Sequence, residues 1–168
     1  MSDNRERIEP IRKQIVVAAP AERAFTMFTS GIDRWWPRDH HIGATPLVRV
    51  IIEPRVGGRW YTTHEDGSER DVGRVLAWQP PQALTLTWQI GSDWKFDPTL
   101  VTEVELRFVA LAPKQTRVEL EHRHLERMGT DGPRMWTTFD APGGWSATLA
   151  AFAQAAAADA PADAAADA

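Results

Sequence analysis

Two histidines, His122 and His124, follow Val118 and Leu120 in the run RVELEHRH. A strand turns successive side chains to opposite faces, so all four are expected on one face, read here as the inward one. Arg117, Glu119, Glu121 and Arg123 alternate with them and are read as facing solvent. Paired inward imidazoles could hold a metal ion or move a proton. No acid accompanies them on their own face, so hydrogen-bonded histidines of a pocket or its rim are the stronger expectation. His40 and His41, adjacent in the loop PRDHHIGATP, read as a solvated pair rather than as further ligands.

Tyr61 is the single tyrosine of the chain and follows Gly57-Gly58-Arg59-Trp60. Its hydroxyl could orient a ligand, since apolar pockets use few polar groups for specificity. Arg59 and Tyr61 share one face of their strand, and Trp60, Thr62 and His64 share the other. The alternation leaves open which face is concave. If the chain is an enzyme, His122 and Tyr61 are the expected catalytic pair, with His122 as general base.

Eight tryptophans stand beside that one tyrosine. Each indole is bulky and carries an N–H that needs a partner when buried. Trp35 and Trp36 end a helical stretch. Trp94 and Phe96 lie in the loop GSDWKFDPT, which could cap a cavity mouth. Trp88 and Phe108 hold inward strand positions. Trp145 and Leu149 fall on one helical stripe with Phe152. The expected ligand-binding set is Trp35, Trp36, Tyr61, Trp88, Trp94, Phe96, Phe108, His122, Trp145 and Leu149, against the alternative that these residues are ordinary core.

The elements that must position them follow from period and punctuation. Ile11 to Val17 reads as a strand, and Pro20 opens a helix over 21–29 that Gly31 stops. A second short helical turn ends before Pro37. Strands follow over 47–53, 59–64, 70–79 and 83–90, broken at Pro54, Glu65-Asp66-Gly67-Ser68 and Pro80-Pro81. In 83–90, Leu84, Leu86, Trp88 and Ile90 are expected inside, with Thr85, Thr87 and Gln89 outside. Val104, Leu106 and Phe108 alternate with charges in a sixth strand, which a hairpin joins to the seventh. An irregular stretch over 126–142 holds one short helix around Arg134 to Phe139. Gly143-Gly144 opens the last helix, which Pro161 ends. Consecutive strands with short turns imply an antiparallel meander. One amphipathic helix after a one-sided sheet must bury its stripe against that sheet, and aromatic bulk on both partners can hold a gap open.

The chain has 168 residues, enough for one domain with its own core. The expected division is a flexible arm over 1–10, one domain over 11–158, and a disordered Ala/Asp tail over 159–168. With no cysteine there is neither thiol chemistry nor thiolate ligation. The start is polar, without the apolar core of a signal peptide, and no segment reaches the roughly 20 apolar residues of a membrane span. The expected location is cytoplasmic. The net charge of −4 is mild and the basic residues are dispersed, which argues against nucleic acid. No Gly-rich phosphate loop, HExxH or Gly-x-Ser-x-Gly occurs. No metal or cofactor is expected, and catalysis is the minority reading.

The order strand, two helices, six strands and long helix is similar to the α+β helix-grip fold of the START/SRPBCC superfamily, which includes the birch-pollen-allergen-like proteins. Several stretches resemble the bacterial activator of heat shock protein 90 ATPase homologue-like family. They are Ile15-Val16-Val17 with Pro20 and Ala24-Phe25, Glu53 to Tyr61 (EPRVGGRWY), Gly73 to Trp78 (GRVLAW) with Pro80-Pro81, Thr102-Glu103-Val104, Glu119 to Arg123 (ELEHR), and Gly144-Trp145 with Leu149. The resemblance implies a curved antiparallel sheet of about seven strands around a long C-terminal helix. It implies a cavity for a small apolar or aromatic ligand, and in a few members polyketide cyclase or dehydratase chemistry. A chaperone-associated interaction module is a third reading. It is the weakest, because only about ten residues precede the first strand and no room is expected for the co-chaperone's extra domain. The chain is expected to be a monomer or a weak homodimer.

Overall fold

The computed structural model describes residues 7–166, with side chains described over 7–158. One seven-stranded antiparallel sheet runs in the order β1-β7-β6-β5-β4-β3-β2. Its strands are β1 Ile11–Val17, β2 Leu47–Ile52, β3 Arg59–His64, β4 Glu69–Gln79, β5 Ala83–Trp88, β6 Thr102–Ala112 and β7 Gln115–Arg123. Strands consecutive in sequence are neighbours from β2 to β7, and β1 returns to pair with β7. The helices are α1 Ala21–Phe28, α2 Gly132–Asp140 and α3 Ala147–Ala166, with a 3-10 turn Ile32–Arg34 after α1. The fold is the α+β helix-grip, a curled sheet closed by the C-terminal helix.

Register builds the inner face. Val104 pairs with His122, Leu106 with Leu120 and Phe108 with Val118, while Leu86 pairs with Val104 and Trp88 with Thr102. These side chains are all buried, and the alternating Glu103, Glu105 and Arg107 face away into ion pairs with Arg123 and one another. Leu149, Phe152 and Ala156 form the buried stripe of α3. Phe152 meets Phe28 at 5.3 Å and Trp35 at 5.4 Å between ring centroids. Each such side chain contributes roughly 1.5–3 kcal/mol through burial.

Three expectations need correction. β5 ends at Trp88 and is buried on both faces, Thr85 and Thr87 included, as is Gln89 just beyond it. The Thr87 hydroxyl donates to Gln89 Oε1 and accepts the Arg74 N–H, and the Gln89 amide donates to the Pro98 carbonyl. The 91–99 loop thus takes up the Gln89 amide, while β4 and Gln89 satisfy the Thr87 hydroxyl. β7 ends at Arg123, one residue before His124, which has left-handed φ of 70°. Finally, α3 runs through Pro161 to Ala166, where Pro161 was expected to end it. Proline inside a helix removes one backbone donor and crowds the carbonyl four residues back, a cost set against the surrounding alanines, which have the highest helix propensity. Residues 1–6 of the expected arm, and 167–168 of the tail, lie outside the described residues.

Candidate functional site

A cavity of about 330 Å³ opens at one end of α3, against the β3–β5 side of the sheet. Its walls come from Trp60 on β3, Val72 on β4 and Trp88 on β5. Trp36, Asp39, His40, His41 and Ile42 supply the loop after the 3-10 turn, and Ile90 and Trp94 supply the loop after β5. Thr138 and Phe139 of α2, the Gly143-Gly144 junction, and Trp145 and Thr148 complete it. The volume falls at the lower end of the roughly 300–1,000 Å³ typical of small-molecule sites.

The local sequence explains why the opening lies here. Farther along α3, Phe28, Trp35, Phe108 and Phe152 are buried and packed ring against ring. At the start of the helix, Gly143 has no side chain to fill the gap. Gly144 is forced by close approach, since a Cβ there would run into the Phe139 carbonyl. A single π-type turn, Pro142–Ser146, carries the chain from α2 into α3 and swings Trp145 inward.

Four of the lining indoles pack against one another in a closed cycle. Trp36 meets Trp60 at 5.7 Å and 90°, Trp60 meets Trp88 at 5.7 Å, Trp88 meets Trp145 at 5.7 Å, and Trp145 returns to Trp36 at 6.5 Å. Edge-to-face ring pairs contribute about 0.5–1.5 kcal/mol each beyond burial. Hydrogen bonds pin three of the four. The Trp36 N–H donates to the His40 carbonyl at 2.8 Å, Trp88 to the Ile90 carbonyl at 3.2 Å, and Trp145 to His122 Nδ1 at 3.1 Å. The Trp60 Nε1 is the one buried side-chain nitrogen or oxygen among the described residues with no partner. An unmet buried donor costs about 1–3 kcal/mol.

His122 stands one layer behind this frame and is fully buried. Accepting the Trp145 N–H at Nδ1 requires its proton to be on Nε2. Nε2–H then donates to the Thr102 hydroxyl at 2.9 Å, and that hydroxyl donates to the Trp88 carbonyl at 2.8 Å. The chain Trp145 to His122 to Thr102 to Trp88 thus ties two walls of the cavity together. Burial pushes the His122 pKa down to about 3, so the ring is neutral. Both nitrogens are engaged, which leaves no free lone pair for a general base.

The titratable groups that do line the cavity are Asp39, His40 and His41, all on its rim. His41 Nδ1 accepts the Gly43 N–H at 3.1 Å, and its ring lies 5.0 Å from that of His64. Burial, then the neighbouring His64, hold the His41 pKa below its ordinary value, and Asp39 opposes them. His64 donates from Nδ1 to the Thr45 carbonyl and accepts the Thr62 hydroxyl at Nε2. Among the described residues no group of three or more His, Asp or Glu could hold a metal ion. No helix among them is long and apolar enough to cross a membrane.

Of the residues singled out in the sequence, Trp36, Trp88, Trp94 and Trp145 line the cavity. Trp94, 47% exposed with φ of 59°, sits on its rim near Phe139. Trp35, Phe108 and Leu149 are packed core, outside the wall. Phe96 bridges back to Ile90 and also lies outside. Tyr61 faces the other side of the sheet, where the Arg59 guanidinium covers its ring at 3.9 Å and ion-pairs with Glu69 and Asp71. The face bearing Trp60, Thr62 and His64 is the concave one. His124 is not paired inward with His122; it lies 3.8 Å from Glu103 Oε2 and 3.6 Å from Glu126 Oε1. The sequence reading missed Trp60 and the rim loop. Arg59, two residues before Tyr61 on the same face, was the available sign that this face is outward.

Residues 18–157 match the family described as Activator of Hsp90 ATPase homolog 1-like protein. The chain belongs to that family. Among solved structures, an anthrahydroquino-gamma-pyrone synthase, Txn09, complexed with SUM, is 39% identical with a TM-score of 0.63. That match covers 89% of this chain and 97% of the other. The self-sacrificing resistance protein CalC from Micromonospora echinospora is 31% identical with a TM-score of 0.66, over 88% and 94% of the two chains. Protein NE0264 from Nitrosomonas europaea, 16% identical with a TM-score of 0.63 over 88% and 94%, shares the fold. Comparison with curated proteins gives no match.

Proposed function

We propose that this family member binds a planar aromatic small molecule in the indole-framed cavity, with a polyketide-type polycycle as the favoured class. The carrying observation is an unfilled, mainly apolar cavity of about 330 Å³ whose lining includes the mutually packed indoles Trp36, Trp60, Trp88 and Trp145. Indole walls offer a flat aromatic guest both apolar area and ring contacts. The 39% identity to a synthase of an anthrahydroquino-gamma-pyrone supports the same class of guest. Thermal unfolding against a panel of polycyclic quinones, linear fatty acids and sterols tests the reading. Quinones are expected to raise the melting temperature and quench tryptophan fluorescence. A response to fatty acids alone would refute it.

A second reading, ring closure of such a guest, draws on that same relative. His122 is sealed and Tyr61 faces away, so acid–base work would fall to Asp39, His40 and His41 at the rim. Loss of turnover in His40→Ala, with guest binding retained, would support it. The chaperone reading has the family description behind it and no feature of the cavity. Stimulation of a bacterial Hsp90 ATPase by the pure protein would bring it forward.

A further inference from the structure

We infer that the outer end of the cavity is a subsite for a polyhydroxylated, sugar-like ring carried by the aromatic guest. This rests on the binding reading above and names what that guest bears at the mouth. The lining changes character along the cavity. Trp36, Trp60, Trp88 and Trp145 are buried, whereas Asp39, Trp94, Thr138 and Gly143 are exposed. The inner end is thus apolar, and the outer end is polar and open to solvent.

Trp94 is the feature that a guest held wholly inside does not explain. It alone among the eight tryptophans is exposed. Its φ of 59° is one that a bulky side chain rarely adopts. The turn around it is tight: the Trp94 N–H donates to the Gly91 carbonyl and the Gly91 N–H to the Lys95 carbonyl, each at 2.9 Å. A left-handed residue closing such a turn is ordinarily glycine or asparagine. The sequence places an indole there instead, half in solvent, on the rim of the cavity. Strained residues of this kind gather at ligand clamps.

The neighbours of Trp94 on the rim decide what the indole would hold. The Asp39 side chain is 89% exposed, with a carboxylate oxygen 4.0 Å from His40 Nε2. His41 accepts the Gly43 N–H at Nδ1, so its proton is on Nε2, which is a donor. The Thr138 hydroxyl donates to the Arg134 carbonyl and keeps an acceptor lone pair. The outer end therefore offers an aromatic face together with donors and acceptors, all on one cavity of about 330 Å³. A bare extension of the flat ring system would displace water from those polar groups and give them no partner. An anionic group gains nothing here, since Asp39 is itself anionic and no Lys or Arg lines the cavity. A sugar ring meets both demands. Its C–H face packs on an indole, and its hydroxyls donate and accept.

The test compares alizarin, a flat dihydroxyanthraquinone, with its monoglucoside, each titrated into the intact protein by tryptophan fluorescence. The wild-type protein is expected to hold the glucoside roughly tenfold more tightly, the range for one stacked face and one or two hydrogen bonds. Glycine suits the left-handed backbone at this position, so Trp94→Gly is expected to lose that preference while keeping its affinity for alizarin. In the wild-type protein, the sugar-ring protons of the bound glucoside should shift upfield, as protons over an indole face do, a readout that needs no variant. Equal or weaker wild-type affinity for the glucoside overturns the inference and leaves the binding reading intact. A glucoside preference that survives in Trp94→Gly, or sugar protons that keep their free-state shifts, also overturns it. Binding of neither compound overturns both.

Discussion

The Trp145 indole donates to His122 Nδ1 at 3.1 Å, and this one contact assigns the histidine to building the cavity. It fixes the tautomer, directs the second nitrogen to Thr102, and through Thr102 holds Trp88. Two of the four framing indoles thus depend on one imidazole. Replacing it leaves the buried Trp145 N–H unmet and takes away the donor to the Thr102 hydroxyl. His122→Phe is expected to lower stability by about 1–3 kcal/mol for each orphaned group. Urea unfolding measures this. A variant as stable as the parent would show that the network carries no structural role.

The same burial gives a pH signature. The His122 pKa is lowered in the folded state to about 3, below the unfolded value near 6.5. The unfolded chain therefore binds the extra proton first as pH falls. The contribution is fully present above about pH 6.5 and is lost progressively as pH falls toward 3, by up to about 1.4 kcal/mol per pH unit. Urea unfolding at a series of pH values between 7 and 4 should show this slope, and His122→Gln should flatten it. Equal slopes in the two proteins would place the proton uptake elsewhere.

Cavity wall and packed core should separate under substitution. Trp36→Ala removes a framing indole and is expected to weaken guest binding by about tenfold or more. Leu149→Ala lies off the wall and should cost about 2–5 kcal/mol of stability. Its guest affinity, measured well below the melting transition, should change little. Tyr61→Phe should alter neither quantity appreciably, since its ring lies beneath Arg59 on the opposite face. A large loss of affinity in Tyr61→Phe would mean that the guest binds outside the indole cavity.

The two junction glycines differ. A Cβ at Gly144 would strike the Phe139 carbonyl, whereas a Cβ at Gly143 meets nothing. Gly144→Ala is expected to destabilise by a few kcal/mol and Gly143→Ala to be neutral or stabilising by up to about 1 kcal/mol. Differential scanning calorimetry of the two variants checks the order, and a reversed order would contradict the close approach at Gly144.

The sheet and its closing helix were legible because period-two and period-3.6 patterns repeat over many residues. Val104, Leu106 and Phe108 on β6, and Leu149 and Phe152 on α3, needed no tertiary information. The cavity was legible only in kind. Phe108 and Leu149 have the same pattern as the wall residues, and ring interlocking decides that they close up while Trp88 and Trp145 do not. Tyr61 and Trp60 occupy adjacent positions on a strand whose two faces are similarly polar, so one residue of parity decides which aromatic lies on the concave face. His124 was placed by extending β7 one residue too far, to a position where the backbone turns left-handed. The rim loop read as solvated because the Trp36 to His40 bond that folds it over the mouth has no sequence pattern of its own.

The most direct measurement is a crystal structure of the protein with anthraquinone-2-sulfonate at saturating concentration. The ring system is expected in the cavity against Trp36, Trp88 and Trp145, with the sulfonate at the rim near Trp94. A probe bound only on the outer face of the sheet, or a saturated protein with the indole frame empty, would contradict a ligand-binding role for this cavity.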